Sequence, residues 1–363
     1  MSATRFQTIK KSDPLFIQYL WGESQSGARP VPIETFNLGL PEETVTFEFL
    51  TRDQISKVNF LTFLSHFIKL NSFTLVLMPL FFVLTKNFVN DRYNDPFSII
   101  LAALSMILLY AGLNIRNDVV DHLSGFDRVN IAFYPKPILK GWITAKTASR
   151  ISWTLMTGSF LISLPIFILQ NELIRVVTGV ILLIIMSQLV SKNSYKNTLL
   201  GEMTLFLLLG PALVAGYQVS MGAGIDTEVL SFGVLWGTAS VFLIHINNFS
   251  HLVTSAQARI KNSMTNMGFD NAKKFIIFWW FLLLGMWIGF HWFFMPLLNT
   301  LLSTLILIGF SVPFLIQLKK IKSPLGSELR HLRKESVKIF VMIAFIFFVE
   351  NLLSIGTKLN WTY

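Results

Sequence analysis

The 363-residue chain is 53% hydrophobic and 14% charged, with a mean hydropathy of +0.58, far more apolar than a soluble protein of this length. A formal net charge of +10 would suit nucleic acid, but the basic residues sit between long apolar runs, as at an anionic membrane surface, so a polytopic membrane protein is expected and a nucleic-acid partner is not. The absence of cysteine excludes disulfides, thiolate metal sites and a cysteine nucleophile, and leaves the compartment open.

Residues 1–57 read as a cytoplasmic N-terminal extension with Pro14, Pro30, Pro32 and Pro41 and little periodicity. Its stretch PLFIQYLWG either lies on the membrane surface as a short amphipathic piece or packs loosely on the loops, and no function is assigned to it. The opening MSATRFQTIKKSDP lacks the layout of a signal peptide, so the first span is expected to act as the membrane signal.

A spanning helix needs roughly 20 mostly apolar residues. Residues 58–363 contain nine such runs, near 62–86, 97–117, 147–169, 172–190, 199–219, 229–250, 274–293, 295–318 and 337–357. Backbone groups in lipid must be satisfied within their own segment, so an apolar run of this length is helical and the expected fold is all-α, a nine-helix transmembrane domain. Lys and Arg crowd the connections between spans 2–3, 4–5, 6–7 and 8–9, whereas the alternate connections hold Lys86, Arg92 and Arg175. That asymmetry predicts a cytoplasmic N-terminus and an external C-terminus, with a bacterial cytoplasmic membrane as the expected location.

The second span ends in NIRNDVVDHLSGFD. On a helix Asn114, Asn117, Asp118 and Asp121 fall at i, i+3, i+4 and i+7 and share one face. Ionised carboxylates at a membrane boundary face a cavity or a partner rather than lipid. Two of them one turn apart suit Mg²⁺, which keeps several waters and bridges a few carboxylates to phosphate oxygens. Arg128, Lys136 and Lys140 follow as candidate phosphate partners. The bland alternative is a solvated loop at the end of a span. A second polar stretch, HINNFSH, closes the sixth span on the same expected side and hints at a two-fold internal repeat. Glu350 lies within the last span, in a structural or pH-sensitive role, and the aromatic runs IIFWWF and FHWFF either line a tunnel or face lipid.

These motifs resemble those of the UbiA-type intramembrane prenyltransferases, and in particular the branch that prenylates 1,4-dihydroxy-2-naphthoate on the way to menaquinone. The first motif of that family is matched by Asn114, Asn117, Asp118, Asp121, Gly125 and Asp127, the last displaced by one residue. KPILKGWI follows the pattern R-P-L-x-x-G-x-I with Lys136 in the arginine place. LGEMTLFLLLGP carries Glu202 in an L-G-E motif, and KLNSFTLVLMP places Lys69 where the family has arginine, with Pro79 in register. The resemblance covers about residues 60–357 and implies nine spans, an N-terminus inside, a prenyl diphosphate donor, an aromatic acceptor and Mg²⁺ held by Asp118, Asp121 and Asp127.

The second family motif is altered. Asn247 and Asn248 remain, but His251 and Ser255 stand in place of two aspartates, and Arg259, Ile260 and Lys261 replace glycine, lysine and arginine. Three readings stay open. His251 ligates the metal, although imidazole prefers softer ions; or one Mg²⁺ suffices while Lys136, Arg259 and Lys261 neutralise the remaining phosphate charge; or diphosphate chemistry has been abandoned. By resemblance, Asn114, Asn117, Asn248, Lys69 and Glu202 border the substrate. The expected reaction is ionisation of the donor followed by alkylation of an electron-rich ring. The rival is a non-catalytic scaffold of the same fold that binds an isoprenoid, a quinone or a protein.

Overall fold

The computed structural model describes residues 5–92, 95–129, 136–169, 199–325 and 328–360. Eight helices among the described residues are long and apolar enough to cross a membrane: Leu70–Val89, Pro96–Ser124, Ala145–Leu169, Leu200–Ser220, Thr227–Ser250, Ser263–Phe294, Leu297–Lys320 and His331–Leu359. Each overlaps one of the expected spans, and the remaining one, 172–190, lies outside the described residues. The protein is a mostly helical, multi-pass integral membrane protein, as the apolar runs require. It resolves into two compact units, one made of Met1–Phe73, Leu104–Ile162 and Thr254–Ile260, the other of Thr74–Ala103, Ser163–Val253 and Lys261–Tyr363.

The first unit contains an element that the apolar pattern does not announce. Strands β1 (Phe6–Lys10), β2 (Arg29–Phe36) and β3 (Thr44–Leu50) form an antiparallel sheet in the order β1-β3-β2. Pro30 and Pro32 are tolerated because β2 is an edge strand, and the ladder shifts register between Pro32 and Glu34. Helix α1 (Leu15–Leu20) is started by the Asp13 side chain, which accepts from the Leu15 N–H at 2.8 Å. Phe16, Tyr19 and Leu20, one turn apart, are buried with Ile9, Val45 and Phe47, and Leu123 packs against this cluster. Of the two alternatives for PLFIQYLWG, packing on the neighbouring connection is the one observed, and it is not loose.

Below the sheet come α2 (Phe60–Phe67), a 3-10 turn (Leu70–Ser72), and the unit's portions of the long helices α4 (Pro96–Ser124) and α6 (Ala145–Leu169), with α3 (Thr74–Val89) in the other unit and the four-residue α5 (Phe126–Val129) between α4 and α6. Asn59 caps α2 by accepting from the Thr62 N–H at 2.7 Å. Small residues bring α4 and α6 together, as is usual where lipid supplies no hydrophobic drive between helices. The Ser152 hydroxyl donates to the Gly112 carbonyl at 3.0 Å and Ser159 to that of Ser105 at 2.6 Å.

The second unit is built on α9 (Thr227–Ser250), preceded by α7 (Leu199–Leu209) and α8 (Pro211–Ser220) and followed by α10 (Leu252–Gln257), α11 (Ser263–Phe294), α12 (Leu297–Lys320) and α13 (Glu328–Asn360). Phe82, Phe232 and Phe347 form an aromatic core, with Phe82 stacked on Phe232 at 3.8 Å between centroids and Phe347 edge-on to Phe232 at 4.9 Å. Outside it, Phe278, Phe281, Trp292 and Phe293 are exposed while Trp280, Trp287 and Phe290 are buried, so the aromatic runs divide between packing and an outward apolar surface. Ion pairs Arg92–Asp226, at 2.5 Å, and Lys86–Glu228 tie α9's first turn and cap to the end of α3 and the residues after it. Outside the spans, Asp226 is held below the usual carboxylate range: burial opposes ionisation, but the Val229 N–H, Arg92 and Gln218 outweigh it.

Gly233 and Gly237 let α9 approach its neighbours. A Cβ on Gly237 would lie 2.7 Å from the Phe206 carbonyl oxygen, and one on Gly233 would lie 2.8 Å from Pro211 Cα. Both obstacles are backbone, which cannot step aside. Gly237→Ala is therefore expected to destabilise by about 1–3 kcal/mol and lower the thermal midpoint by several degrees in detergent, whereas Gly285→Ala and Gly309→Ala, which meet nothing within 4 Å, should leave it unchanged or slightly raised.

Candidate functional site

The acidic face predicted for the end of α4 is present, and the chain folds back to complete it. Gly125, at φ +91°, ends α4 in a left-handed conformation that a side chain would strain. The turn starts α5, with Asp127 in its first turn. After 130–135, which are outside the described residues, Lys136 returns to the same place. Its ammonium lies 2.5 Å from Asp127 Oδ1, 3.4 Å from Asp118 Oδ1 and 3.9 Å from Asp121 Oδ2. Lys69 reaches Asp118 Oδ1 from the other direction at 2.8 Å. Lys69 holds φ 57° and ψ 54° between α2 and the 3-10 turn, a left-handed conformation that costs a non-glycine residue about 1–2 kcal/mol.

The asparagines position this group. The Asn114 amide donates to the Ile68 carbonyl at 3.0 Å and to Ser72 Oγ at 3.3 Å, securing the segment that carries Lys69. The Asn117 amide donates to Asp121 Oδ2 at 3.4 Å. All seven expected residues of this half, Lys69, Asn114, Asn117, Asp118, Asp121, Asp127 and Lys136, are thus gathered in one unit.

Beyond the span, burial raises the Asp127 carboxyl to about 7; Lys136 pulls it down, while Asp121 and Asp118 push it further up. Burial works against the Lys136 ammonium, yet Asp118, Asp127 and Asp121 together raise its pKa, so it stays charged. With Asp127 ionised, three carboxylates face two ammoniums, leaving one negative charge for an incoming cation. The donors are oxygen only and fit Mg²⁺, which takes one or two carboxylates and completes its shell with water and phosphate oxygens. Among the described residues no group of three or more His, Asp or Glu side chains is placed to hold a metal ion by itself.

Arg128 corrects an expectation. Instead of facing phosphate it turns away to the extension, where its Nη1 lies 3.0 Å from Glu43 Oε1 with both side chains buried. Burial lowers the Arg128 pKa and Glu43 opposes that loss. Lys140 is exposed. Arg259, at φ 56°, is exposed, with its Cδ near Gly39.

The remaining expected residues belong to the second unit, apart from Ser255, which is buried in α10 within the first. His251 caps α9, its N–H donating to the carbonyls of Asn247 and Asn248. Lys261 is exposed just before α11. Glu202, on α7, is buried: Ser263 Oγ donates to its Oε2, the Ser263 N–H to its Oε1 at 3.4 Å, and the Asn248 side chain bonds to it as well. His245 Nδ1 approaches Glu202 Oε1 to 3.8 Å and has no hydrogen-bond partner among the described residues. Glu350 meets His291 Nε2 at 3.2 Å, a contact between α11 and α13. Neither His245 nor Glu43 was singled out from the sequence. The signal for His245 was its place one turn before Asn248; for Glu43, in a polar stretch, there was none.

The UbiA prenyltransferase family matches residues 74–333 of the chain. Among solved structures, an apo UbiA homologue from Aeropyrum pernix K1 superposes with a TM-score of 0.54 at 13% identity, covering 76% of this chain and 97% of that one. A UbiA homologue from Archaeoglobus fulgidus bound to DMAPP and Mg²⁺ gives 0.53 at 13% identity over 79% and 98%. A digeranylgeranylglyceryl phosphate synthase gives 0.52 at 16% identity over 80% and 98%. These identities establish a shared fold. No curated protein matches the chain.

Lys136→Met removes the cation shared by the buried Asp118 and Asp127 and the partly buried Asp121, and stranding buried charge costs about 3–5 kcal/mol. Without Lys136 the folded-state pKa of Asp127 rises above about 7, against about 3.9 unfolded. The folded protein then holds the extra proton, so stability is greatest at low pH and falls as pH rises through that window. The thermal midpoint of Lys136→Met should therefore drop well below wild type at pH 8 and recover in part at pH 5.5; equal deficits at both would contradict this charge assignment.

Proposed function

Because the chain belongs to the UbiA prenyltransferase family, we propose that it transfers an isoprenyl group from a prenyl diphosphate to an aromatic acceptor, with Mg²⁺ at Asp118, Asp121 and Asp127. The observation that carries this reading is the meeting of three carboxylates with Lys136 and Lys69 at the end of α4. Bound Mg²⁺ would supply charge neutralisation on the diphosphate oxygens.

In this reading the chain's own residues bind and hold charge. Asp118 and Asp121 fix the cation side of the site, and Asn117 orients Asp121. Lys136 and Lys69 exchange carboxylate contacts for phosphate oxygens, so that the departing diphosphate meets ammonium donors already in place. The allylic C–O bond breaks heterolytically, the diphosphate leaves with the electron pair, and the ring carbon of the acceptor attacks the cation before losing its proton. The likeness of LGEMTLFLLLGP, which carries Glu202, to that branch's motif favours a 1,4-dihydroxy-2-naphthoate-like acceptor, hence quinone synthesis, in a bacterial cytoplasmic membrane with the N-terminus inside. Residues 1–57 are the cytoplasmic extension and 58–363 the nine-span domain.

A second reading, a UbiA-like protein that binds an isoprenoid or quinone without chemistry, is favoured by His251 and Ser255 in place of aspartates. One titration separates the two. Purified protein is titrated with geranylgeranyl diphosphate, with and without Mg²⁺, beside Asp118→Ala/Asp121→Ala. Mg²⁺-dependent binding that the double variant loses is expected and leads to an acceptor screen. Folded wild type that binds without regard to Mg²⁺ would sink the enzyme reading.

A further inference from the structure

We propose that the N-terminal segment, residues 5–57, is a clamp on the acidic motif and that Glu43 is its positioning residue for the Mg²⁺–diphosphate site; this rests on the function proposed above. The family match begins at residue 74, so this sheet lies outside the matched residues.

Its contacts fall on the connection that carries the site. The Leu20 carbonyl accepts from His122 Nε2 at 3.0 Å, beside Asp121 in sequence. The Leu38 side chain fills the space at Gly125, where a Cβ would come within 2.2 Å of it. Glu43 pairs with Arg128, the neighbour of Asp127. Past Lys136, the Arg29 guanidinium donates to the Gly141 carbonyl, and the Trp21 carbonyl accepts from the Lys146 N–H at 3.2 Å. The strap thus holds the chain on both sides of Lys136 and next to two of the three acids.

Glu43 is the chemically specific member. It is 2% exposed, and its other oxygen, Oε2, takes Lys11 Nζ at 3.1 Å and the Gly39 N–H at 3.0 Å, so the extension fixes both the place and the direction of this carboxylate. A buried ion pair is weak evidence for stability, since apolar packing often replaces it without loss. What it specifies is orientation. Arg128 and Asp127 sit on the same four-residue helix, so anchoring one fixes the rotation that presents the other to Lys136. The pair also keeps the Arg128 guanidinium off three carboxylates that must receive a metal ion.

The test uses the full chain in detergent, comparing wild type, Glu43→Gln and Glu43→Met/Arg128→Met for thermal midpoint, geranylgeranyl diphosphate binding across MgCl₂ concentration, and hydrogen exchange over residues 119–129. The expected result is a ten-fold or greater rise in the MgCl₂ needed for half-maximal binding in both variants, with faster exchange at 119–129. The Met pair should keep a near-native midpoint, which separates positioning from folding. Wild-type MgCl₂ dependence in the Met pair would overturn the proposal. So would unchanged exchange in Glu43→Gln; wild type that binds no diphosphate would defeat the prenyltransferase reading and with it the role of Glu43 at a diphosphate site, while the exchange readout would still decide whether the segment clamps the acidic motif.

Discussion

The Lys136 ammonium is the contact on which the site depends. Three carboxylates lie within 4 Å of it, and all three are largely withdrawn from water. Opposite charges at about 4 Å attract by roughly 4 kcal/mol at an effective dielectric near 20. Desolvation costs several kcal/mol per buried ion, so no one of these acids is offset by a single contact of that size. Sharing one cation among three acids, with Lys69 added on Asp118, holds the group together and, when all three acids are ionised, still leaves it one positive charge short. A site in that state is poised to accept a cation rather than to hold one permanently. Mg²⁺ delivered with a phosphate ligand meets the requirement, because it needs few protein oxygens of its own.

Lysine at both positions where the related family has arginine has a physical consequence. A guanidinium would spread a planar fork over one carboxylate, whereas an ammonium is a compact charge with three donors free to rotate. Lys136 can touch Asp118, Asp121 and Asp127 together for that reason, and can trade them for phosphate oxygens without reorienting a plane. Lys69 adds a backbone cost, its left-handed φ being maintained by the Asn114 bond to the Ile68 carbonyl one residue earlier.

What could be read in the sequence was whatever has a short period. Apolar runs gave eight spans that coincide with helices, and the spacing of Asn114, Asn117, Asp118 and Asp121 gave the shared face. The sheet was hidden because its strands pair across long stretches of chain, Phe6 with Glu48 and Arg29 with Leu50, and because two prolines in β2 argue against a strand unless it is known to be an edge. Arg128 was misread for a related reason: its partner is 85 positions away in a stretch with no periodicity, and charge alone did not say which acid it would meet. His245 and Glu202 lie on different helices, α9 and α7, and local patterning cannot pair side chains across that separation.

The two halves of the matched motifs are not equally available. In the second unit the retained Asn248 and Glu202 are engaged with each other and with Ser263, an interhelical tie among α7, α9 and α11. Hydrogen bonds of this kind in a membrane interior specify packing, and breaking one to reach a ligand leaves a buried carboxylate underserved. The acids of the first unit are instead held by lysine ammoniums on four-carbon stems, which can turn to a phosphate without abandoning charge. Under the proposed function, with His251 and Ser255 where the family has a second acidic pair, metal binding would fall on Asp118, Asp121 and Asp127. A site with one set of acids tolerates less error in where each of them points. The N-terminal segment, packed on that connection through Leu20, Leu38 and Glu43, is placed to limit such error.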